Sequence, residues 1–209
     1  MSLDLEKHLT FYGAYHHNKV NIGIHMICVP LILFSGFTIV RPHPCTIPLR
    51  NSDECLASNT GPLFHLPSWL VIPHLEPTLG TLAALTWGGL YLLLEPVAGT
   101  LLAIICLGAA ATGNHLVEVD AETTTKAAIA VHVVSWILQF IGHGTFEGRA
   151  PALLDNLVQA VFLAPLFVWL ELLFSLGYRP ELQARVEKAV QKEIAKFKSS
   201  KDAKNGKAN

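Results

Sequence analysis

Hydrophobic positions in this chain gather into long runs divided by short polar breaks. Asn21 to Val40 is almost wholly apolar for 20 residues, about what a helix needs to cross the hydrocarbon core of a bilayer. Thr78–Leu94, Val97–Gly113, Lys126–Thr145 and Leu153–Tyr178 repeat the pattern, with a tight turn at Glu95-Pro96. Ahead of the first run, Leu3–Tyr15 reads as an amphipathic helix, with Leu5, Leu9 and Tyr12 on one side and Asp4, Lys7 and His8 off it. It is too short and too polar to span, so it is expected to lie at the membrane interface. The break HHNKVN follows, where Asn18 or Asn21 can cap the next helix, and Pro30 predicts a kink within it. Arg41–Pro77 reads as loop, with six prolines ahead of Pro77 and several turn clusters. Within it, Ser68–Leu75 is expected to dip into the interface through Trp69. Asn114–Thr125 reads as a polar connection. Pro180 starts a charged helix that runs into a Lys-rich tail, expected to be disordered. The fold class is therefore all-α, a polytopic transmembrane helix bundle of four to five membrane segments, with an interfacial helix before it and a charged helix after it.

Composition supports this reading. Charged residues make up 15% of the 209 positions and the mean hydropathy is +0.41, where a soluble domain carries about 25% charged residues. One membrane-embedded catalytic domain is expected over 1–185, with 186–209 as helix end and tail. The net charge of -1 hides an asymmetry: nine Lys/Arg and four Asp/Glu from Arg179 onward give +5, leaving -6 for the rest. Such a basic tail beside a membrane segment faces cytosol and anionic lipid. The opening MSLDLEKHLT is polar and mixed in charge, so the first span is expected to act as an uncleaved anchor. Cys28 and Cys106 sit in apolar runs as packing residues, while Cys45 and Cys55 share one loop and can pair if it is lumenal. There is no phosphate-binding loop, zinc-finger spacing or nucleophile elbow. The basic tail has one aromatic, Phe197, which argues against nucleic acid as a partner.

Ionisable residues at the ends of membrane helices need a partner, water or a metal. If the spans alternate, the start of the first and the end of the fourth share one membrane face. HHNKVNIGIH and GHGTFE then meet, bringing His16, His17, His25, His143 and Glu147 to one level. His115 and Glu118 fall on the opposite face. Imidazole and carboxylate ligands suit Fe, Zn, Mn or Cu, and two histidines with one carboxylate favour non-haem Fe(II). If the helix starts early, His17, Asn21 and His25 form a stripe; if the chain breaks at Asn18, His16 approaches instead. Spacing leaves both open. His132 and Gln139 share a face with His143, but His132 is about 16 Å along a straight helix, which suits lining a channel or bonding a neighbouring helix. Glu147 reads either as ligand or as the acceptor that orients one. Arg149 grips a carboxylate or marks the membrane surface, and Glu171 can pair inside the bundle.

Two stretches, YHHNKVNIGIHMICVP and WILQFIGHGTFEGRAPALLDNLVQAVFLAPLFVWLELLF, resemble the Mpo-like family of integral membrane 2-hydroxy fatty acid dioxygenases of phytosphingosine degradation. His16, Asn18, Asn21, His25, Gln139, His143, Glu147 and Pro151 match its paired motif position by position, whereas Lys19 stands where that family commonly has proline. The resemblance covers about 5–40 and 75–185; the Pro-rich loop and the Lys-rich tail look peculiar to this chain. It implies a multi-pass endoplasmic-reticulum enzyme using Fe(II) and O2 to convert a long-chain 2-hydroxy fatty acid to the acid one carbon shorter plus CO2. The metal set is expected from His16, His25, His143 and Glu147, with His17 and His132 as reserves, and Arg149 and Gln139 on the substrate. The alternative is a non-catalytic lipid-binding or membrane-shaping protein with structural histidines. A di-iron desaturase or hydroxylase ranks last, since that class needs about eight clustered histidines.

Overall fold

The breaks between helices fall where the sequence supplies caps. The computed structural model describes residues 4–40, 62–148 and 159–205, and every regular element among them is helical. Asp4 starts α1 (Leu5–Tyr15) by accepting from the Lys7 backbone N–H at 3.1 Å, a cap that contributes about 1 kcal/mol. The chain then breaks, and α2 (Lys19–Ile39) opens with the Asn18 side chain accepting from the Val20 N–H at 2.9 Å. Asn18, not Asn21, therefore fills the capping role. Glu95 ends α3 (Leu79–Leu94) and begins α4 (Pro96–Val119), its buried carboxylate accepting from the Ala98 N–H at 2.6 Å. Pro96 takes the first helical position, where a missing N–H costs nothing. α5 (Ala121–Ile141) runs on into a π-helical turn, Gly142–Glu147, and stops at Gly148. There φ is +59°, a left-handed conformation that glycine adopts without a Cβ clash. A second π turn, Gln159–Leu163, leads into α6 (Ala164–Ser175), and α7 (Pro180–Asn205) follows.

Two boundaries differ from the sequence reading. α4 continues through Asn114–Val119, so the polar connection shrinks to Asp120, which caps α5 by accepting from the Thr123 N–H at 3.0 Å. Polar residues can finish a helix where it leaves the apolar layer, so polarity marked the edge of that layer rather than the helix end. α7 stays helical to Asn205, where the tail is expected to be disordered. Leu182, Val186, Val190 and Ile194 are buried at four-residue spacing, an apolar stripe that holds a charged helix in place. Cys45, Cys55, Arg149, Pro151 and the first residues of the Leu153–Tyr178 run lie outside the described residues.

Among the described residues, Lys19–Ile39, Pro96–Val119 and Ala121–Glu147 are long and apolar enough to cross a membrane. Val161–Ser175 with Pro180–Phe197 adds a fourth candidate, bent by 119°. α3 has 16 residues, about 24 Å of helix, and is short for a span. Ile27 and Ile104 are 66% and 62% exposed, as side chains facing lipid rather than water would be.

The chain forms two compact units, Met1–Met26 with Gln139–Asn209, and Ile27–Leu138. In the first, α7 packs on α1, with Glu6 and Arg185 paired at 3.1 Å, and Tyr12 of α1 meets Phe167 of α6 at 4.6 Å between ring centres. In the second, the α3–α4 hairpin buries Ala84, Tyr91, Ala98 and Cys106 completely.

Candidate metal centre

The first unit contains a buried group of three histidines. The break after α1 leaves His16 as the residue that ends the helix, α2 carries His25, and the π turn after α5 carries His143. Their ring centres lie 4.4 Å (His16–His25), 4.7 Å (His16–His143) and 4.9 Å (His25–His143) apart, with each pair of rings steeply inclined. One nitrogen from each lies within 4.8 Å of the others, and all three residues are buried.

The tautomers of two rings follow from their partners. His16 Nδ1 lies 2.9 Å from the Tyr12 carbonyl, and His25 Nδ1 lies 2.9 Å from the Asn21 carbonyl. A carbonyl oxygen only accepts, so each Nδ1 carries the proton and each Nε2 keeps its lone pair. This is the usual way a protein readies an imidazole for a metal. His16 Nε2 is buried with no hydrogen-bond partner, a state that costs about 1–3 kcal/mol if nothing compensates it. Burial, and then the neighbouring His25, hold the His16 imidazole well below its usual pKa, outweighing the Tyr12 carbonyl that acts the other way. Neutral, nitrogen-rich and desolvated, the donor set fits a divalent transition metal.

Glu147 anchors the turn that presents His16. Its Oε1 accepts from the backbone N–H groups of His17 and Asn18, both at 2.9 Å, and from Asn21 Nδ2 at 3.1 Å. Its Oε2 lies 2.7 Å from His17 Nδ1, and the side chain is 1% exposed. The carboxylate thus sits at the start of α2, where free N–H groups and the helix dipole favour negative charge. Gly142 makes this docking possible, since a Cβ there would overlap Asn21 Oδ1.

The break after α1 decides between the two neighbouring histidines. His16 turns inward, while the His17 side chain is 40% exposed and pairs with Glu147. His132 belongs to the second unit, where Trp136 Nε1–H donates to its Nε2 at 3.0 Å and its Nδ1 donates to Ser35 Oγ at 2.9 Å. Both ring nitrogens are engaged, in keeping with helix-to-helix bonding. Gln139 lies one turn before His143 and is buried, its Nε2 lacking a hydrogen-bond partner. His115 and Glu118 group instead with His74. Tyr12, which the sequence shows only as part of the apolar side of its helix, has a carbonyl that orients His16 and a ring that stacks on it at 3.8 Å. Its position one turn before His16 was the available signal.

Helices long enough to cross a membrane, together with a buried three-histidine cluster, define a membrane-type helical protein with a candidate metal centre. The chain matches, over residues 2–176, the family described as "2-hydroxy-palmitic acid dioxygenase Mpo1-like", and it belongs to that family. It is 37% identical over 185 residues to the 2-hydroxy-palmitic acid dioxygenase MPO1 of Saccharomyces cerevisiae, the match covering 88% of each chain. No solved structure matches significantly.

Proposed function

We propose that this protein is an Fe(II)-dependent dioxygenase that removes one carbon from a long-chain 2-hydroxy fatty acid. The observation that carries the reading is the meeting of His16, His25 and His143, with the first two held in the tautomer that offers Nε2. The name of the yeast relative supports the substrate class. The overall reaction is R–CH(OH)–COOH + O2 → R–COOH + CO2 + H2O. The C1–C2 bond breaks, the substrate supplies all four electrons that O2 takes up, and no separate reductant is needed. Bound iron would supply the one-electron chemistry that lets O2 react with a closed-shell hydroxy acid, and a Lewis acid for its carboxylate and hydroxyl.

The chain's own residues do the remaining work. His16, His25 and His143 would hold the metal, and three neutral ligands leave positions for a chelating hydroxy acid and O2. Glu147 fixes the Asn18 turn and so the placement of His16; we assign it this positioning role in preference to direct ligation. His16 lines a cavity of about 160 Å³ bounded also by Tyr12, Ile22, Met26, Phe167 and Glu171. Its lining is mixed, with Phe167 and Met26 on the apolar side and Glu171 and Gln183 on the polar side. Gln139, with a buried amide N–H2 to donate, would hold a substrate oxygen, and Arg149 would take the carboxylate. The bilayer supplies the acyl chain, and the family resemblance favours the endoplasmic reticulum as its location.

Purified protein incubated in air with 2-hydroxypalmitate should release CO2 and pentadecanoate in equal amounts and lose activity on iron chelation. Protein that binds no iron and leaves the substrate unconsumed would overturn the reading.

A further inference from the structure

In the second unit the segment before α3 is folded back on itself, with the Leu63 N–H donating to the Pro77 carbonyl at 2.9 Å. Asn114 on α4 is buried and pins this segment, its Nδ2 donating to the His74 carbonyl at 2.7 Å and lying 3.2 Å from Thr81 Oγ1. The next residue on α4 is His115, and one turn further is Glu118. The pin therefore sets the His74 side chain over both. His74 Nδ1 lies 2.9 Å from Glu118 Oε2, and the His74 and His115 ring centres are 4.7 Å apart. One ligand atom from each of the three lies within 4.8 Å of the others. His74 holds φ at +60°, a conformation uncommon outside glycine, so the chain adopts a disfavoured backbone where this side chain meets the other two.

We propose that His74, His115 and Glu118 form a second metal site, for a divalent ion of the zinc class, tying the segment before α3 to the end of α4. Two imidazoles and one carboxylate make a mixed N/O set with a fourth position left for water, a set zinc accepts in tetrahedral geometry. Magnesium and calcium are disfavoured, because they prefer shells of oxygen. Iron is disfavoured too, since at an accessible site of given ligands Fe(II) binds more weakly than Zn(II). The His74 and Glu118 side chains are each 40% exposed, so the ion has direct access from solvent. This separates the site chemically from the buried three-histidine centre, and the proposal stands whether or not that centre holds iron.

The test uses full-length protein in detergent with any affinity tag removed. Zinc bound at micromolar free concentration is measured by equilibrium dialysis and elemental analysis. The His25→Ala, His143→Ala double variant, which removes two ligands of the buried centre, should still bind one zinc per chain. Adding His115→Ala or Glu118→Ala should abolish that equivalent. The Glu118 arm matters because a lone surface histidine would not respond to loss of a carboxylate. In the otherwise unaltered protein, His115→Ala alone should lower zinc content by one equivalent, which keeps the test sound if the double variant fails to fold. Cobalt(II) in place of zinc should give an intense visible absorption typical of four-coordinate sites, lost in His115→Ala. Equal zinc content with and without His115→Ala, or zinc content indifferent to Glu118→Ala, would overturn the proposal.

Discussion

Two of the three histidines are oriented by the backbone, and a buried carboxylate holds the turn beside one of them; each device predicts its own mutational signature. Two rings donate Nδ1–H to the carbonyl one turn back, so their orientation belongs to the backbone and survives loss of neighbouring side chains. Glu147 is more sensitive to loss, since its carboxylate accepts from two backbone N–H groups and an amide, and lies beside the His17 imidazole, while almost fully buried. Glu147→Ala strands those donors and should cost about 3 kcal/mol, by the scale of charged hydrogen bonds, with iron content falling as the His16 turn loosens. Glu147→Gln keeps an acceptor oxygen and should retain more of both, as read by thermal melts and iron analysis side by side. His132→Ala should behave oppositely, losing about 1–2 kcal/mol with its bonds to Ser35 and Trp136 while keeping iron. The pH response follows from His16. Its folded pKa lies below the ~6.5 of a free histidine, so the unfolded chain takes up this proton first. The stability His16 contributes is complete above ~6.5 and is lost as pH falls from there through the folded value. Iron retention should persist somewhat below ~6.5 for the same reason, and a titration of iron content against pH would show it. A loss of iron centred at or above ~6.5 would contradict this.

At the scale of elements, what could be read in the sequence depended on whether the signal was local. Asn18 as a candidate cap and Glu95-Pro96 as a turn are local signals that the sequence displays, whereas Asp4 reads there as part of the first helix rather than as its cap. The choice between His16 and His17 was not legible from spacing, because it turns on where one helix stops and the next starts. That boundary is set by Glu147, 129 residues away from Asn18, through the N–H groups it accepts. The π turn carrying His143 was also invisible, since α and π backbones ask for the same residue types over so short a stretch. Such turns gather at functional sites. Gly142 is its most sensitive point: Gly142→Ala would drive a Cβ into Asn21 Oδ1, and Asn21 is fully buried and held by Glu147. The variant should bind less iron and melt lower than the parent, although alanine is the better helix former. An unchanged melt with full iron would show that the approach of these two segments relaxes without consequence.

For the whole molecule, long apolar runs and a low charge content announced the membrane helices, and alternation of spans brought His25 and His143 together across 118 positions. The expected four to five spans become three, or four with the bent pair, among the described residues, because α3 is short by length. The juxtaposition of histidines did not depend on that count, since the carrying helices, α2 and α5, are both among the three that are long and apolar enough by themselves. The His74 group was missed because a loop residue joined two helix residues, and neither periodicity nor alternation places a loop. The central claim is that His16, His25 and His143 hold one catalytic iron, and paired iron and turnover measurements on single variants test it most directly. With equal amounts of folded protein, His25→Ala and His143→Ala should each lose most bound iron and at least ~100-fold in 2-hydroxypalmitate turnover, a ligand's removal costing no less than the ~10–100-fold that follows loss of a ligand's hydrogen-bond partner, whereas His132→Ala keeps its iron. Full iron in both His25→Ala and His143→Ala would contradict the shared site.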